Sequence, residues 1–532
     1  MGIVRAKVRR VPPMKACPGP REFVTGALVL IFGVHGAASF AQGAQGVQPP
    51  GPAAAAEARP QLPSGFHPGV RTFVSLTDNI FLEPDTTKNG GTFVEVSPYL
   101  SARGYSPRGA YSLDYQLRNF WLPTEGESSL ARHELNAAGR FALVGDRIWL
   151  DALAYSGSVS TSATGPVAID PGAAFVNRGS YRRLELSPYL LTRSDRTTYE
   201  LRYRVATTGG SASEALARLD QRVSASAGTL ADPGGLWNWG VAGETQRREF
   251  SQDITLDRQI ATGTLGYRVV PNVRVLGTLT WERIEGLFNS RGEDSGFGPG
   301  AGIEWTPSAR LRATASYGHR YYGPVGAARI TYTAGRSTLG FEFDRAINTD
   351  SRLSLGTLDA ASLTGASLTL PNSIVNALAA QGLTPSVQNA IAQGFMTDAA
   401  VLGKRTALFY GLQGIHHAIT LTAFMLDESS TGQAAAIPGA FVGDQVIYGL
   451  AARYLRRFGA RTTVTLGGDA RQTRSDSGGY RTDLYSALLE FQSSLTRTSA
   501  VVGGLRFTAQ RGDGATVIYD QALAYGGLDF RF

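Results

Sequence analysis

Residues with acid–base or nucleophilic chemistry are sparse in this 532-residue chain and are not arranged as a catalytic site. Beyond residue 66 the histidines are His67, His133, His319, His416 and His417. His416 and His417 are adjacent in a short turn, and the other three are widely separated. The chain has neither a Gly-x-Ser-x-Gly nucleophile elbow nor a His-Glu-x-x-His zinc motif. We therefore expect no enzyme, with no catalytic residue, no metal site and no cofactor.

Two other features look like chemical sites but have plainer interpretations. Residues 298–302 (GPGAG) have the composition of a phosphate-binding loop, but they begin a predicted strand and lead into no helix, so we interpret them as turn glycines. Cys17 is the only cysteine and precedes the apolar core of the N-terminal leader, whereas a lipidated cysteine would follow such a core. The sequence therefore predicts no disulfide and no thiolate metal site.

The remaining chemistry lies in charged residues that alternate with apolar ones. After the turn at 193–196, the apolar residues Leu201, Tyr203 and Val205 alternate with polar positions. Period-two alternation places one set against lipid and the other in the lumen of a membrane barrel. The predicted lumen-facing candidates are Arg202, Arg204, Arg312, Arg453, Arg506, Glu200 and Glu490. Two interpretations stay open: these side chains satisfy one another across the lumen, or they bind acidic polymers or hydroxyl-rich sugars.

The elements that carry these residues follow a repeated pattern of strand, turn and strand. Short turns rich in Gly, Pro, Asp or Ser lie at 106–109, 144–147, 193–196, 232–235, 270–272, 306–309, 334–337, 415–418, 457–460 and 495–499. Longer polar connections alternate with them, at 83–91, 122–131, 158–179, 286–296, 428–443 and 473–482. This pattern predicts an all-β fold, a transmembrane antiparallel barrel of about 22 strands (20–24), from Val70–Leu82 to Tyr519–Phe532, with the short turns in the periplasm.

The composition agrees with strands and not with membrane helices. The mean hydropathy is −0.10, and no apolar run reaches the roughly 18 residues that a transmembrane helix needs. A soluble β-sandwich would also alternate apolar and polar residues, but it seldom repeats so many hairpins without a break.

The N-terminus predicts export. Six Lys/Arg precede the apolar stretch 23–34 (FVTGALVLIFGV), and Ser39 and Ala41 provide small residues for a cleavage site after Ala41. We interpret 1–41 as a signal peptide, starting at Met1 or Met14, residues 42–66 as a flexible Pro/Ala-rich periplasmic segment, and 67–532 as a barrel in the bacterial outer membrane. Cleavage would lower the formal charge from +8 to +3, which removes the main argument for a nucleic-acid partner.

The C-terminal strand has the pattern of an assembly signal. Leu528, Phe530 and the terminal Phe532 share one face, directly after Gly527. This arrangement resembles the C-terminal strand by which the barrel-assembly machinery recognises outer-membrane proteins, although Gly526 stands where that signal usually has a polar residue. We expect this strand to pair with the first one near Val70.

One segment interrupts the strand pattern, at 349–401. Within it, Asn372 or Ser373 can cap a short helix, and Thr384-Pro385 can begin a second one. By strand parity the insertion leaves from the extracellular side. We predict a long, partly helical extracellular insertion that is a candidate gate of the pore.

Residues 73–104 (FVSLTDNIFLEPDTTKNGGTFVEVSPYLSARG) carry a resemblance to a known family. The phrases TDNIFL and VSPYLSARG, with repeated units such as TPSARLRATASYG, resemble the PEP-CTERM-system-associated outer-membrane β-barrel family of the putative porin type. The resemblance extends over about 70–532. It implies a role linked to exopolysaccharide loci and provides no catalytic residues.

Three function hypotheses follow. The first is a non-enzymatic, porin-like barrel that serves exopolysaccharide export or assembly, with outer-membrane lipid, the barrel-assembly machinery, polysaccharide and periplasmic export proteins as partners. The second is a structural or anchoring barrel with a filled lumen. The third is an outer-membrane barrel enzyme that uses His133 and His319. A TonB-dependent importer is disfavoured, since about 25 residues before the barrel are too few for a plug domain.

Overall fold

The computed structural model describes residues 65–123, 128–160, 178–194, 196–211, 218–229, 235–250, 255–285, 294–348, 352–354, 395–397, 401–430, 444–475, 479–513 and 517–532. The predicted signal peptide, the periplasmic segment up to residue 64 and the predicted helical pieces of the insertion lie outside these ranges. Within the described ranges no helix has the length and apolar character needed to cross a membrane.

The described residues form 22 long strands and two short ones. They are β1 (Gly65–Thr77), β2 (Gly91–Ser106), β3 (Gly109–Leu122), β4 (Ser128–Val144), β5 (Ile148–Ser160), β6 (Arg178–Arg193), β7 (Thr197–Gly209), β8 (Leu219–Thr229), β9 (Trp237–Glu249), β10 (Thr255–Val270), β11 (Val273–Ile284), β12 (Ser295–Ser308), β13 (Leu311–Arg320), β14 (Gly323–Ala334), β15 (Ser337–Asn348), β16 (Arg352–Ser354), β17 (Phe395–Thr397), β18 (Val401–Gln413), β19 (His417–Ser430), β20 (Gln445–Phe458), β21 (Thr462–Ser475), β22 (Tyr480–Ser494), β23 (Ser499–Asp513) and β24 (Tyr519–Arg531).

The long strands close into one antiparallel barrel. Each pairs with its neighbours along the chain, and β15 pairs directly with β18, so that β16 and β17 are not part of the wall. β1 pairs with β24 from Gly69–Arg531 to Thr77–Leu523, which joins the two edges of the sheet. The predicted all-β barrel of about 22 antiparallel strands is therefore confirmed, with 22 strands in the wall.

The short connections lie at one end of the barrel, together with both ends of the described chain. Gly65 pairs with Arg103 next to the β2–β3 turn, and the Phe532 amide donates to the Pro68 carbonyl at 2.9 Å. Glycines with positive φ sit in several of these turns, for example Gly145 (φ 51°). Since membrane barrels have short periplasmic turns, this is the periplasmic end, and the longer connections are extracellular.

The distribution of polar and apolar side chains is that of a membrane barrel. On the outer face, leucines such as Leu201 and Leu505 are 51% and 57% exposed, whereas on the inner face charged side chains such as Arg248 and Glu282 are 0% and 1% exposed. A soluble protein buries apolar side chains and exposes charged ones. The inverted arrangement indicates that lipid surrounds the barrel and that the lumen is polar.

Aromatic side chains lie near both ends of the wall. At the periplasmic end, Trp237 and Tyr267 project outward with ring centroids 4.6 Å apart. At the extracellular end, Trp121 is 52% exposed on the outer face. Such belts position a barrel at the two membrane surfaces.

Tyr321 and Tyr322 form the two-residue turn between β13 and β14, the shortest connection among the extracellular ones whose strand ends are described.

The first strand has the predicted length but begins and ends five residues earlier, at Gly65 and Thr77. We predicted a strand from Val70 to Leu82, but β1 ends at Thr77 and residues 78–90 form a loop. The physical reason is that Asn79, Ile80 and Leu82 are buried at 0%, 1% and 1% exposure, which an outward-projecting strand extension would not allow. The alternation of apolar and polar residues continues through residues 78–82. Burial of Ile80 and Leu82 against the inner wall is nevertheless more favourable than continuing the strand.

The seam between β1 and β24 has its own polar bond network. Asp529 is buried and faces inward; its carboxylate accepts from the Tyr99 hydroxyl at 2.7 Å and from Arg71 Nε at 3.4 Å. The alternate residues Leu528 and Phe530 are 36% and 41% exposed on the outer face. Strand β24 therefore presents the apolar residues of the predicted assembly signal to lipid and a carboxylate to the lumen.

Replacing Asp529 with Ala should destabilise the closed barrel, because Arg71 and Tyr99 lose a charged partner at the seam. Hydrogen bonds to charged groups contribute about 1.5–3 kcal/mol each, so we expect the barrel to unfold at a clearly lower temperature. The measurement is the temperature at which the folded band disappears in SDS gel electrophoresis. Asp146→Ala, in the exposed β4–β5 turn, is the control. Equal unfolding temperatures for the two variants would contradict the seam role.

Candidate functional site

The lumen wall is the candidate site, and much of it consists of ion pairs between neighbouring strands. On β2–β4, Arg118 lies between two carboxylates, 2.6 Å from Glu95 and 3.6 Å from Glu134. All three side chains are nearly buried, with 4–12% exposure. Because a buried charge without a partner is costly, these pairs hold the wall together.

Three predicted binding candidates belong to this ion-pair wall. Arg202 contacts Glu200 at 2.8 Å and Asp151 at 2.9 Å, and its guanidinium lies 3.9 Å from the centre of the Tyr189 ring. Arg204 contacts Glu185 at 3.1 Å. The structure thus places Arg202, Arg204 and Glu200 in the lumen, where they neutralise partners on the wall.

The ion pairs continue around the barrel to β11. Arg248 contacts Asp220 at 3.1 Å, with both side chains nearly inaccessible. Arg258 contacts Glu282 at 2.8 Å and is 3.9 Å from Glu244. On β2–β11 many of the described lumen charges are therefore neutralised by a neighbour on the wall.

A different arrangement lies on β20–β23. The electrostatic neighbours of Asp469 are Arg453, Arg471 and Arg506, which we call the lumen arginine cluster. Asp469 also accepts a hydrogen bond from the Ser486 hydroxyl. Three guanidinium groups near Asp469 give this part of the described wall more cationic than anionic side chains. Guanidinium groups bind carboxylates and phosphates in a bidentate manner, so the cluster can bind an anionic solute.

The sequence found two members of the cluster and missed the third. Arg453 and Arg506 were predicted to face the lumen, whereas Arg471 was not singled out. Arg471 lies two positions after Asp469 on β21, so the alternation of that strand would have identified it.

Of the last two predicted candidates, one lies at the periplasmic end of β13 and the other on β22, within the β20–β23 part of the wall. Arg312 is exposed, as the second residue of β13 near the periplasmic turn. Glu490 accepts a hydrogen bond from the Tyr525 hydroxyl at 2.6 Å. Neither lies in the β2–β11 ion-pair wall, so the structure does not unite the seven candidates into one site.

The extracellular end is narrowed by residues 78–90, which we call the inward loop. The side-chain nitrogen Nδ2 of Asn79 donates to the backbone carbonyls of Asp520 (2.9 Å) and Glu83 (2.7 Å). Its side-chain oxygen Oδ1 accepts from the backbone amide of Glu83 at 2.9 Å. The Gln521 side chain donates to the Asn79 carbonyl at 3.0 Å. A hydrogen bond from Lys88 to Asp78 closes the loop and raises the pKa of Lys88. The loop is thus attached to β24 through polar contacts.

Apolar packing attaches the same loop to the inner wall. Ile80 packs with a cluster whose other buried members are Phe93, Phe120, Leu122 and Leu523.

Leu82, two residues after Ile80 in the inward loop, packs on the fully buried Tyr519. Its φ is 55°, the left-handed region that a residue with a branched side chain rarely adopts. The packing must therefore offset backbone strain, which indicates that the position of the loop inside the lumen is strongly specified.

The insertion reaches the opposite wall of the barrel. β16 pairs with β17, and Phe395 in β17 pairs in parallel with Ser160, the last residue of β5. The insertion begins after β15, and β5 lies ten strands away around the wall. The two short described strands of the insertion therefore lie at the extracellular end of β5.

The histidines are not collected into a reaction centre. His133 faces outward on β4, where its Nδ1 lies 2.9 Å from the Tyr115 hydroxyl, and His319 is exposed on β13. His416 lies in the β18–β19 turn and His417 begins β19. No group of three or more potential metal ligands occurs among the described residues. Residues 298–302 lie within β12, as an extended strand and not as a phosphate loop.

Comparisons with known proteins give distant structural similarity and no sequence match. Neither family models nor curated proteins match the chain. Among solved structures, the siderophore receptor PirA from Acinetobacter baumannii has a TM-score of 0.46 at 10% identity, covering 88% of this chain and 81% of that one. The FrpB iron transporter from Neisseria meningitidis has a TM-score of 0.45 at 10% identity, with coverages of 88% and 81%. BauA, the ferric preacinetobactin receptor from Acinetobacter baumannii, has 0.40 at 12% identity, with 88% and 80%.

At these scores and identities the similarities carry nothing about what this chain binds. The closed wall, the apolar outer face and the polar lumen define the class by themselves: this is a transmembrane β-barrel of the outer-membrane type.

Detaching the inward loop should open the extracellular end. Asn79→Ala removes three side-chain hydrogen bonds, each worth about 1 kcal/mol, so we expect residues 78–90 to become accessible to protease. Limited proteolysis of the folded protein checks this. Asn89→Ala, at an exposed position of the same loop, should remain resistant; equal cleavage of both variants would contradict the attachment.

Removing two members of the lumen arginine cluster should change ion preference. Arg453→Gln with Arg506→Gln leaves Arg471 beside Asp469 and lowers the local positive charge, so we expect anion preference to fall. The reversal potential in planar bilayers under a salt gradient measures this. Arg310→Gln with Arg336→Gln, both in exposed periplasmic turns, gives the same charge change outside the lumen. A cluster variant with an unaltered reversal potential would argue against an anion path.

Proposed function

We propose that this protein is a non-enzymatic, porin-like barrel that lets a polymer or solute cross the outer membrane and that serves exopolysaccharide export or assembly. The observation that carries the proposal is a lumen lined by hydroxyl and charged side chains, with the lumen arginine cluster on β20–β23. The resemblance at residues 73–104 supports the link to exopolysaccharide.

The chemistry of the lumen suits a carbohydrate. Partly exposed hydroxyl groups face the lumen, for example those of Ser226 and Thr314, and can exchange hydrogen bonds with sugar hydroxyls. The lumen arginine cluster would attract the carboxylates or phosphates of an acidic polymer. Ion pairs elsewhere on the wall would present few unpaired charges, which limits non-specific retention along the path.

We further propose that the insertion, residues 349–401, gates the pore. The pairing of Phe395 with Ser160 supports this, since it places part of the insertion beside β5, ten strands away from β15 around the wall. A barrel of this strand number has a wide lumen that would leak without an obstruction. The inward loop narrows only the part of the mouth near β1–β3 and β24.

The proposed partners follow from the same features. Outer-membrane lipid surrounds the apolar face, and we propose that the barrel-assembly machinery recognises Gly527, Leu528, Phe530 and Phe532 in β24. Polysaccharide and periplasmic export proteins would be partners at the two mouths. Export behind a signal peptide cleaved after Ala41 belongs to this proposal.

The main alternative is a structural or anchoring barrel with a filled lumen. The ion pairs of β2–β11 and the inward loop favour it, because both occupy lumen volume with residues that satisfy one another. A barrel enzyme has less support, since His133 and His319 lie on the outer face of different strands.

A clean gene deletion, assayed for surface polysaccharide, tests the export role. We expect the deletion strain to lose secreted polymer and to recover it when the wild-type gene is restored. Normal secretion by the deletion strain, together with no measurable conductance of the purified protein, would favour the anchoring barrel.

Shortening the insertion tests the gate. Replacing residues 355–394 by a short Gly/Ser linker keeps β16 and β17, and should raise single-channel conductance in planar bilayers because the mouth is uncovered. A linker that replaces residues 431–443, in the next extracellular connection, is the control. Unchanged conductance after shortening the insertion would refute the gate.

A further inference from the structure

A row of five residues crosses the outer face of the barrel near its extracellular end. Tyr317 on β13 pairs with Gly326 on β14, which pairs with Arg345 on β15. Arg345 pairs with Lys404 on β18, which pairs with Asp427 on β19. Partners in register on adjacent strands point to the same face of the sheet, so these side chains are neighbours.

The face is the outer one. Arg345 lies six positions after Leu339, which is 44% exposed to the outside, and Asp427 lies six positions after Leu421, which is 42% exposed. An even separation along a strand keeps side chains on one face. Two cations and one carboxylate therefore project from a wall whose neighbouring outward positions are apolar.

The row borders a crevice of about 430 Å³ in this outer wall. Its apolar side is formed by Tyr317, Phe343 and Leu402, and its polar side by Arg345 and Lys404. Gly326 has no side chain, which leaves the space between Tyr317 and Arg345 open. The crevice thus combines an apolar wall with a cationic rim.

The two cations face each other directly. Like charges in register on adjacent strands are destabilising, and Asp427 lies next to Lys404 only, on the side away from Arg345. Neither cation makes an ion pair with a carboxylate among the residues that the structure describes. An anion held between Arg345 and Lys404 would relieve their repulsion.

Three other outward cations at this end of the barrel have carboxylate partners. Arg247 is 3.3 Å from Glu249, and Arg283 is 2.8 Å from Glu285. Arg481 likewise lies 2.6 Å from Asp483. Arg345 and Lys404 differ from these three in facing another cation in register.

The height of the pair matches the membrane surface. Arg345 is three residues before the end of β15, and Lys404 three residues after the start of β18. At about 3.3 Å per residue they lie roughly 10 Å along the strand from the extracellular edge. Strands of 12–14 residues are only slightly longer than the apolar band they cross, so the pair lies near the extracellular boundary of that band, from which the long Arg and Lys side chains reach the lipid headgroups.

We propose that Arg345 and Lys404 bind the phosphate of a phosphorylated lipid of the outer leaflet, with an acyl chain along Phe343 and Tyr317. The two cations provide charge-assisted hydrogen bonds to the phosphate oxygens, and the crevice receives the apolar part of the lipid. Asp427, on the side of Lys404 away from Arg345, repels the phosphate and so confines it to the space between the two cations. This site is independent of what crosses the lumen.

Lipid binding can be measured by native mass spectrometry of the purified barrel in detergent. The probes are diphosphorylated lipid A, its dephosphorylated form, and inorganic phosphate in large excess as a competitor. We expect the diphosphorylated lipid to bind, the dephosphorylated form to bind much more weakly, and inorganic phosphate to leave the complex intact. Displacement by inorganic phosphate would reduce the site to a simple anion site and overturn the lipid assignment.

Arg345→Gln with Lys404→Gln should weaken lipid binding about 25-fold, since each cation near an anionic lipid surface contributes about fivefold. Arg247→Gln with Arg283→Gln removes the same charge from two paired positions and should leave binding unchanged.

Asp427→Asn provides a test that does not depend on losing function. It removes the repelling carboxylate and should tighten binding. Wild-type affinity in the Arg345/Lys404 variant, or weaker binding in Asp427→Asn, would overturn the proposal. The shift of the folded band in SDS gels verifies that each variant is a closed barrel.

Discussion

Inside the hydrocarbon core of a membrane no water reaches the peptide groups, so every backbone N–H and C=O must find a partner within the protein. A sheet meets this requirement only when its first and last strands pair, which makes the β1–β24 seam the contact on which the rest of the structure depends. Asp529 reinforces the seam from the lumen side, through Tyr99 and Arg71. The inward loop reinforces the seam from the extracellular side, through the hydrogen bond from Asn79 to β24.

Closure also decides what the lumen can contain. Every second side chain of the long strands points inward, and the wall therefore accumulates charges that must find partners at low water content. On β2–β11 they do so as pairs such as Arg248–Asp220. The lumen arginine cluster on β20–β23 has more cations than carboxylates and is the part of the wall best suited to act on an anionic solute.

Much of the fold follows from local sequence signals. Alternation and turn chemistry depend on residues a few positions apart, so the strand number, the periplasmic turns and the terminal strand were predictable from patterns such as that ending in Phe532. The end of β1 was not, because Ile80 and Leu82 continue the alternation and only the available burial in the lumen turns them inward.

The candidate site was less accessible to sequence reasoning. The inward direction of Arg202 follows from period two, but its contact with Asp151 joins residues 51 positions apart and depends on strand register. The same holds for Arg345 and Lys404, which become neighbours only because β15 pairs with β18 across the insertion. Register between distant strands results from closure of the whole sheet, and no local pattern encodes it.

The Tyr321–Tyr322 turn has a mechanical consequence for the surrounding membrane. It joins β13, with 10 residues, to β14, with 12, whereas β4 has 17 residues. A wall of unequal height imposes unequal hydrophobic thickness, which a bilayer accommodates by thinning locally or a protein by tilting. The wall is therefore lower at β13 and β14 than at β4, and a bilayer that follows the wall would be thinner on that side, where short-chain lipids would fit best.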